Sequence, residues 1–163
     1  MKHVILWTFF ALGIVAGALG ALAWRFQTSG ARESCYSNLN ALSESMSMYA
    51  REHSGAFPSN VAPLSAYGSL GPGVFACRGS QRAPGDMSDV DKWTDYIYLS
   101  WSTATNANNY ALAYDRRMSN HQGMGVNVVL VNGVEFWDHE GTWLKAFARR
   151  HPELKLDLPR DLK

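Results

Sequence analysis

Cys35 and Cys77 are the only two cysteines in the chain. With them, the side chains best suited to hold a metal or move a proton are Asp115, His121, Asp138 and His139. Two cysteines in one small body outside the cytoplasm are expected to form a disulfide. The alternative is a pair of free, buried thiols in a reducing compartment. His and Asp are ligand types for zinc and related ions, but no His-Glu-x-x-His and no closely spaced His/Cys set accompanies them. Asp115 and His121 are therefore expected to hydrogen-bond the turns between strands. Asp86, Asp89 and Asp91 match half of a Ca²⁺ loop without its closing Glu or central Gly, and read as a solvated acidic loop. No serine lies in Gly-x-Ser-x-Gly and no triad is suggested. No catalytic residue, metal ligand or cofactor is assigned, and the expectation is a protein that is not an enzyme. Trp93, Trp101, Trp137 and Trp143 are expected to pack in the core and on the sheet, with a binding face as the alternative.

The elements that must position these residues begin with Ala31 to Pro58. Cys35, Leu39, Leu42, Met46 and Tyr49 recur at steps of four and three, which draws one apolar stripe down a helix. Ser54-Gly55 closes it and Pro58 prevents an early restart. Residues 59–73 read as an irregular loop with a helical turn near Val61 to Tyr67. Val74 to Cys77 reads as a brief extended piece, and Arg78 to Lys92 as a surface loop. Asp95 to Ser102 has strand composition. Asn106 to Asn109 is a turn, and Tyr110 to Tyr114 is a second strand with its tyrosines and Leu112 on one side. Val126 to Val131 reads as a central strand. Asn132-Gly133 predicts a type I′ hairpin turn leading into a strand over Val134 to Trp137. Glu140 to Arg149 predicts a short helix with Trp143, Leu144 and Phe147 inward. The charged tail from His151 wraps the surface or frays.

Ahead of these elements, Val4 to Trp24 carries no charge. At about 1.5 Å per residue a helix of that length covers roughly 30 Å, the hydrocarbon thickness of a bilayer. A retained anchor is expected, with signal-peptide cleavage after Ala21-Leu22-Ala23 as the alternative. Gly13, Gly17 and Ala21 form a small-residue face of the kind that lets helices approach closely in lipid. The chain has 163 residues, a net charge of +1 with His neutral, and 18% charged residues. That balance excludes the basic stripe of a nucleic-acid binder and a disordered acidic tail. It suits one modest domain plus an anchor: residues 1–30 anchor and junction, 31–150 an α+β domain, 151–163 a charged tail. The fold class is α+β, a long N-terminal helix, membrane-spanning and then amphipathic, packed on a small antiparallel sheet.

The order Cys35, Asn38, Leu39, Tyr49, Ala50, Gly55, Phe57, Pro58, followed by Ala113-Tyr114-Asp115, Asn120-His121, Gly125-Val126-Asn127-Val128 and Asn132-Gly133, resembles type IV pilin-like and type II secretion pseudopilin-like proteins. The resemblance is to those with a His, nine residues, Asp-Gly motif. Asn132 stands where that motif has Asp, and ten residues separate it from His121. The prepilin cleavage motif and the glutamate of the membrane helix are absent. The resemblance implies a pilin-like fold on an unprocessed anchor. It also implies a single pass of the inner membrane, with the C-terminal body in the periplasm. The implied partners are the membrane and either a second copy or other pilin-like subunits, with no nucleic acid. The same resemblance keeps Ca²⁺ open at the Asp86 to Asp91 loop, since some major pseudopilins bind it in the analogous region. A monomeric envelope module that recognises a glycan or peptide through sheet aromatics is the alternative function.

Overall fold

The structure, a computed structural model, describes residues 2–100 and 110–162; within the first helix it describes the side chains of residues 12–23 and 29–52. The elements are α1 (Lys2–Glu52), α2 (Val90–Trp93), β1 (Tyr96–Tyr98), β2 (Ala111–Asp115), β3 (Gly125–Leu130), β4 (Glu135–His139) and α3 (Thr142–Arg150). Among the described residues six short 3₁₀ turns join them, including Ala62–Ala66, Pro72–Phe75, Arg78–Ser80 and Met118–His121. The chain divides into two compact units, Met1–Gly30 and Ala31–Lys163.

In the first unit Leu12, Ile14, Val15, Leu19 and Leu22 are exposed. A methyl group added at Gly13 or Gly17 would meet nothing, and Ala21 is exposed as well. Among the described residues no helix is long and apolar enough to cross a membrane. The expected span, Val4 to Trp24, falls in part on residues 4–11 and 24, whose side chains lie outside the described residues.

The second unit is α+β, with a four-stranded antiparallel sheet in the order β1-β2-β3-β4. Four residues of the expected stripe, Cys35, Leu39, Leu42 and Met46, are buried and Tyr49 is partly buried; with Ala50, they pack with Tyr96, Leu112, Ala113, Val129 and Val131. Each fully buried Leu or Met of that stripe contributes about 1.5–3 kcal/mol. The helix closes as its sequence requires, with Ser54 and Gly55 both left-handed (φ 56° and 86°) and the Gly55 N–H donating to Ala50 O at 2.7 Å. The opposite face of the sheet (Ile97, Ala111, Tyr114, Val126, Val128, Leu130) packs on Leu144 and Phe147 of α3. With helices on both faces, β3 is buried along its whole length.

Several expectations are corrected. Tyr114 and Leu112 lie on opposite faces, because the β2–β3 register shifts between Ala111 and Ala113. The extra residue of this bulge breaks the period of two, so Leu112 and Ala113 both join the α1 side. Among the described residues β1 takes Tyr96–Tyr98 of the expected strand Asp95 to Ser102; residues 101–102 of that strand and the turn at Asn106 to Asn109 lie outside the described residues. Of the expected extended piece Val74 to Cys77, Val74 and Phe75 instead end the 3₁₀ turn Pro72–Phe75, which starts on a proline as such turns favour, while Ala76 and Cys77 are extended. The hairpin after β3 is not type I′: Asn132 has no positive φ, whereas Gly133 does (80°). Gly133 N–H donates to Leu130 O (2.9 Å), and Leu130 N–H to Val134 O (2.8 Å). That is a three-residue loop with its glycine left-handed. Of the two alternatives for the charged tail, residues 151–162 follow the first and lie against the body. Leu154, Leu156, Leu158 and Leu162 pack on the α3 side of the core. Asp161 accepts from the N–H groups of Met118 and Ser119, both at 2.7 Å.

Candidate functional site

Cys35 projects from the first exposed-to-buried turn of the second unit, and Cys77 from the stretch between two 3₁₀ turns. The two form a disulfide, with Cα atoms 5.1 Å apart. The Cys77 end is held by Asp95, whose buried carboxylate accepts the Cys77 N–H at 3.0 Å and the Ser80 hydroxyl at 2.6 Å. The Arg78–Ser80 turn packs against the Met118–His121 turn. A methyl group on Gly79 would overlap the Asn120 carbonyl, so only glycine permits that approach. Asn38 adds a third tie, donating from Nδ2 to Ala76 O at 3.0 Å and to Tyr96 Oη at 3.1 Å.

This packing carries His121 to the sulfurs. Its Nε2 lies 3.8 Å from Cys77 Sγ and 2.9 Å from Asp115 Oδ2. The same Asp115 oxygen accepts the Asn127 backbone N–H at 2.6 Å and its side-chain amide at 3.0 Å. A buried carboxylate must be satisfied in this way to stay in an apolar interior. Asp115 and Asn127 both project from the sheet face that meets α1, because each sits an even number of residues from a core position there: Ala113 for Asp115, Val129 for Asn127. Asp115 Oδ1 and His121 Nδ1 are buried and make no hydrogen bond within the protein. Burial first, then the Asp115 and Asp95 carboxylates, push the nearby Tyr96 hydroxyl well above its usual pKa, against the hydrogen bond from Asn38. The Trp137 ring meets His121 edge-on (centroids 5.4 Å apart), and the Arg32 guanidinium lies over that ring at 5.3 Å.

Cys35, Cys77, Asp115 and His121 thus form one cluster whose ligating atoms all lie within 4.8 Å of one another. Their exposures are 0%, 1%, 0% and 4%. At that burial both His121 and Asp115 are closed off from solvent. With its sulfurs bonded, the cluster links α1, the 77–80 turn, β2, the 118–121 turn and β3.

The other sequence candidates lie elsewhere. Asp138 is buried, and its two oxygens accept the Trp143 and Leu144 N–H groups, both at 2.8 Å, capping α3 from β4. His139 is exposed and stands 3.9 Å from Glu140. Asp86 accepts from Ser88, Asp89 pairs with Lys92 at 2.7 Å, and Asp91 accepts the Val61 N–H at 3.1 Å. Asn132 Oδ1 accepts the Val134 N–H at 3.0 Å, next to Gly133 in the β3–β4 loop. Trp93, Trp137 and Trp143 are partly buried, engaged with Phe75, His121 and Phe147 respectively; Trp101 lies outside the described residues. The sequence alone assigns no role to Asp95 or Asn127. An amide inside the apolar run Val126 to Val131 was the signal, because a polar side chain on a central strand needs a buried partner. Set against family models, curated proteins and solved structures, the chain matches none.

Proposed function

We propose that this chain is a membrane-anchored, extracytoplasmic pilin-like subunit that works by assembly and not by catalysis. The observation that carries this reading is the stripe Cys35, Leu39, Leu42, Met46 and Ala50, buried on one face of a four-stranded antiparallel sheet and belonging to a helix whose bounds are Lys2–Glu52. The charge-free run Val4 to Trp24 is the anchor, crossing the inner membrane once. The Cys35–Cys77 disulfide suits an oxidising compartment outside the cytoplasm. Without the prepilin cleavage motif, assembly rests on packing in lipid along Gly13, Gly17 and Ala21. The partners are a second copy or other pilin-like subunits of a type II secretion or pilus-like system.

The test is cross-linking in intact membranes, followed by alkaline extraction. The expected result is retention in the membrane fraction and a ladder of cross-linked species, or co-captured secretion components. Release into the soluble fraction overturns the anchor. A clean monomer whose tryptophan fluorescence is quenched by an added glycan or peptide overturns assembly in favour of a binding module.

A further inference from the structure

We propose that reduction of the Cys35–Cys77 disulfide converts the buried cluster into a Cys₂-His-Asp site for a zinc-like divalent cation, so that disulfide and metal are exclusive states of one site. The ligand set is already gathered: both sulfurs, His121 and Asp115 offer atoms within 4.8 Å of one another. Tetrahedral zinc, with metal–ligand distances of about 2.3 Å to sulfur and about 2.0–2.1 Å to nitrogen, places sulfur and nitrogen about 3.6 Å apart and two sulfurs about 3.8 Å apart. Cys77 Sγ and His121 Nε2 stand at 3.8 Å. The two sulfurs must part, by rotation about their Cα–Cβ bonds, and the 2.9 Å hydrogen bond between His121 Nε2 and Asp115 Oδ2 must open to free Nε2.

The atoms around the cluster fit the metal state as well as the disulfide state. Asp115 Oδ2 is oriented by Asn127, which leaves Oδ1, buried and without a hydrogen bond, to ligate. His121 Nδ1 also makes no hydrogen bond. It can carry the ring proton when the Nε2 lone pair turns to a metal. Two thiolates make the set soft enough to select zinc over calcium or magnesium. Counted with a neutral imidazole and an ionised carboxylate in both, the buried charge is the same in the two states. Disulfide, neutral imidazole and carboxylate sum to one negative charge; a divalent cation, two thiolates, imidazole and carboxylate sum to the same. Exchanging one state for the other therefore adds no net charge to a low-dielectric interior.

The chemistry balances in two steps. A dithiol or phosphine reductant supplies two electrons to the S–S bond and is itself oxidised, and two protons from the reductant or solvent leave Cys35 and Cys77 as thiols. The cation then displaces both thiol protons into solvent as two metal–sulfur bonds form.

The full chain in detergent, reduced by a phosphine without oxygen, tests this with Co²⁺ as the probe. One equivalent should bind, with tetrahedral d–d bands and a thiolate-to-cobalt charge-transfer band, and Zn²⁺ should displace it. The oxidised chain should bind none. His121→Ala and Asp115→Asn should each weaken binding more than about tenfold. Because either variant can fail to fold, the wild-type disulfide is also titrated in glutathione buffers with and without excess Zn²⁺. Zinc should make reduction easier. Absence of cobalt uptake by the reduced chain, binding unchanged in His121→Ala, or a midpoint that zinc does not move would overturn the proposal.

Discussion

Asp115 Oδ2 accepts the backbone N–H of Asn127 at 2.6 Å, and the same oxygen receives His121 Nε2 at 2.9 Å. One carboxylate at the end of β2 therefore holds β3 and the 118–121 turn together beside the disulfide. Asp115→Ala leaves the Asn127 N–H and His121 buried without their acceptor. The expected loss is about 2–4 kcal/mol, since unsatisfied buried donors cost more than the net worth of the bonds they made. Asp115→Asn, which keeps one acceptor oxygen, should lose less. Urea denaturation of the two variants checks the order; equal and near-wild-type midpoints would refute it.

The disulfide closes a loop of sequence separation 42. In the chain-entropy treatment such a loop contributes about 4 kcal/mol. Cys35→Ser is expected to lower stability by that order. Intact mass of the native wild-type chain should fall short of the fully reduced value by two hydrogens, and the same spectrum reports whether residues 1–23 are retained.

The stripe on α1 gives a paired comparison within one helix. Leu42 is buried against the sheet, whereas Met48 is 45% exposed. Leu42→Ala should cost about 2–5 kcal/mol by lost burial and the cavity left behind. Met48→Ala should stay within about 0.5 kcal/mol of wild type. Similar losses at the two sites, read by thermal or chemical denaturation, would mean that the stripe is not the buried face.

Asp161 ties the tail to the 118–121 turn. Burial raises its pKa, but the hydrogen bonds from Ser119 and Met118 outweigh that and hold it below the usual carboxylate value. A group with a depressed folded pKa stabilises above its unfolded value, about 3.9 for Asp, and that contribution fades as pH falls through the folded value. The tail should therefore loosen only in the acid range below about pH 4. Hydrogen exchange at Met118 and Ser119 measures this; in Asp161→Asn the acid dependence should flatten.

Much of this architecture was written in local pattern. Spacings of three and four marked the α1 stripe, Ser54-Gly55 marked its end, and the apolar run at Val126 marked a central strand. Trp143, Leu144 and Phe147 marked α3. Each depends on neighbours within a few residues, where period and turn chemistry act directly. The bulge at Leu112, the left-handed glycine of a three-residue loop at Gly133, and the docking of the tail leucines were not visible in that pattern. Each depends on a partner strand or surface distant in sequence.

By itself the sequence determined that a charge-free segment precedes an amphipathic helix, that strands follow, and that two cysteines stand in a body suited to an oxidised pair. Only the tertiary structure decided that Asp115, His121 and Asn127 meet that pair in one buried cluster, while Asp138 and His139 do not. The reason is register: a strand alternates faces at every residue, so which side chains converge depends on pairing between strands and on the bulge that shifts it. The contact of the Gly79 turn with Asn120 then sets how closely His121 approaches the sulfurs.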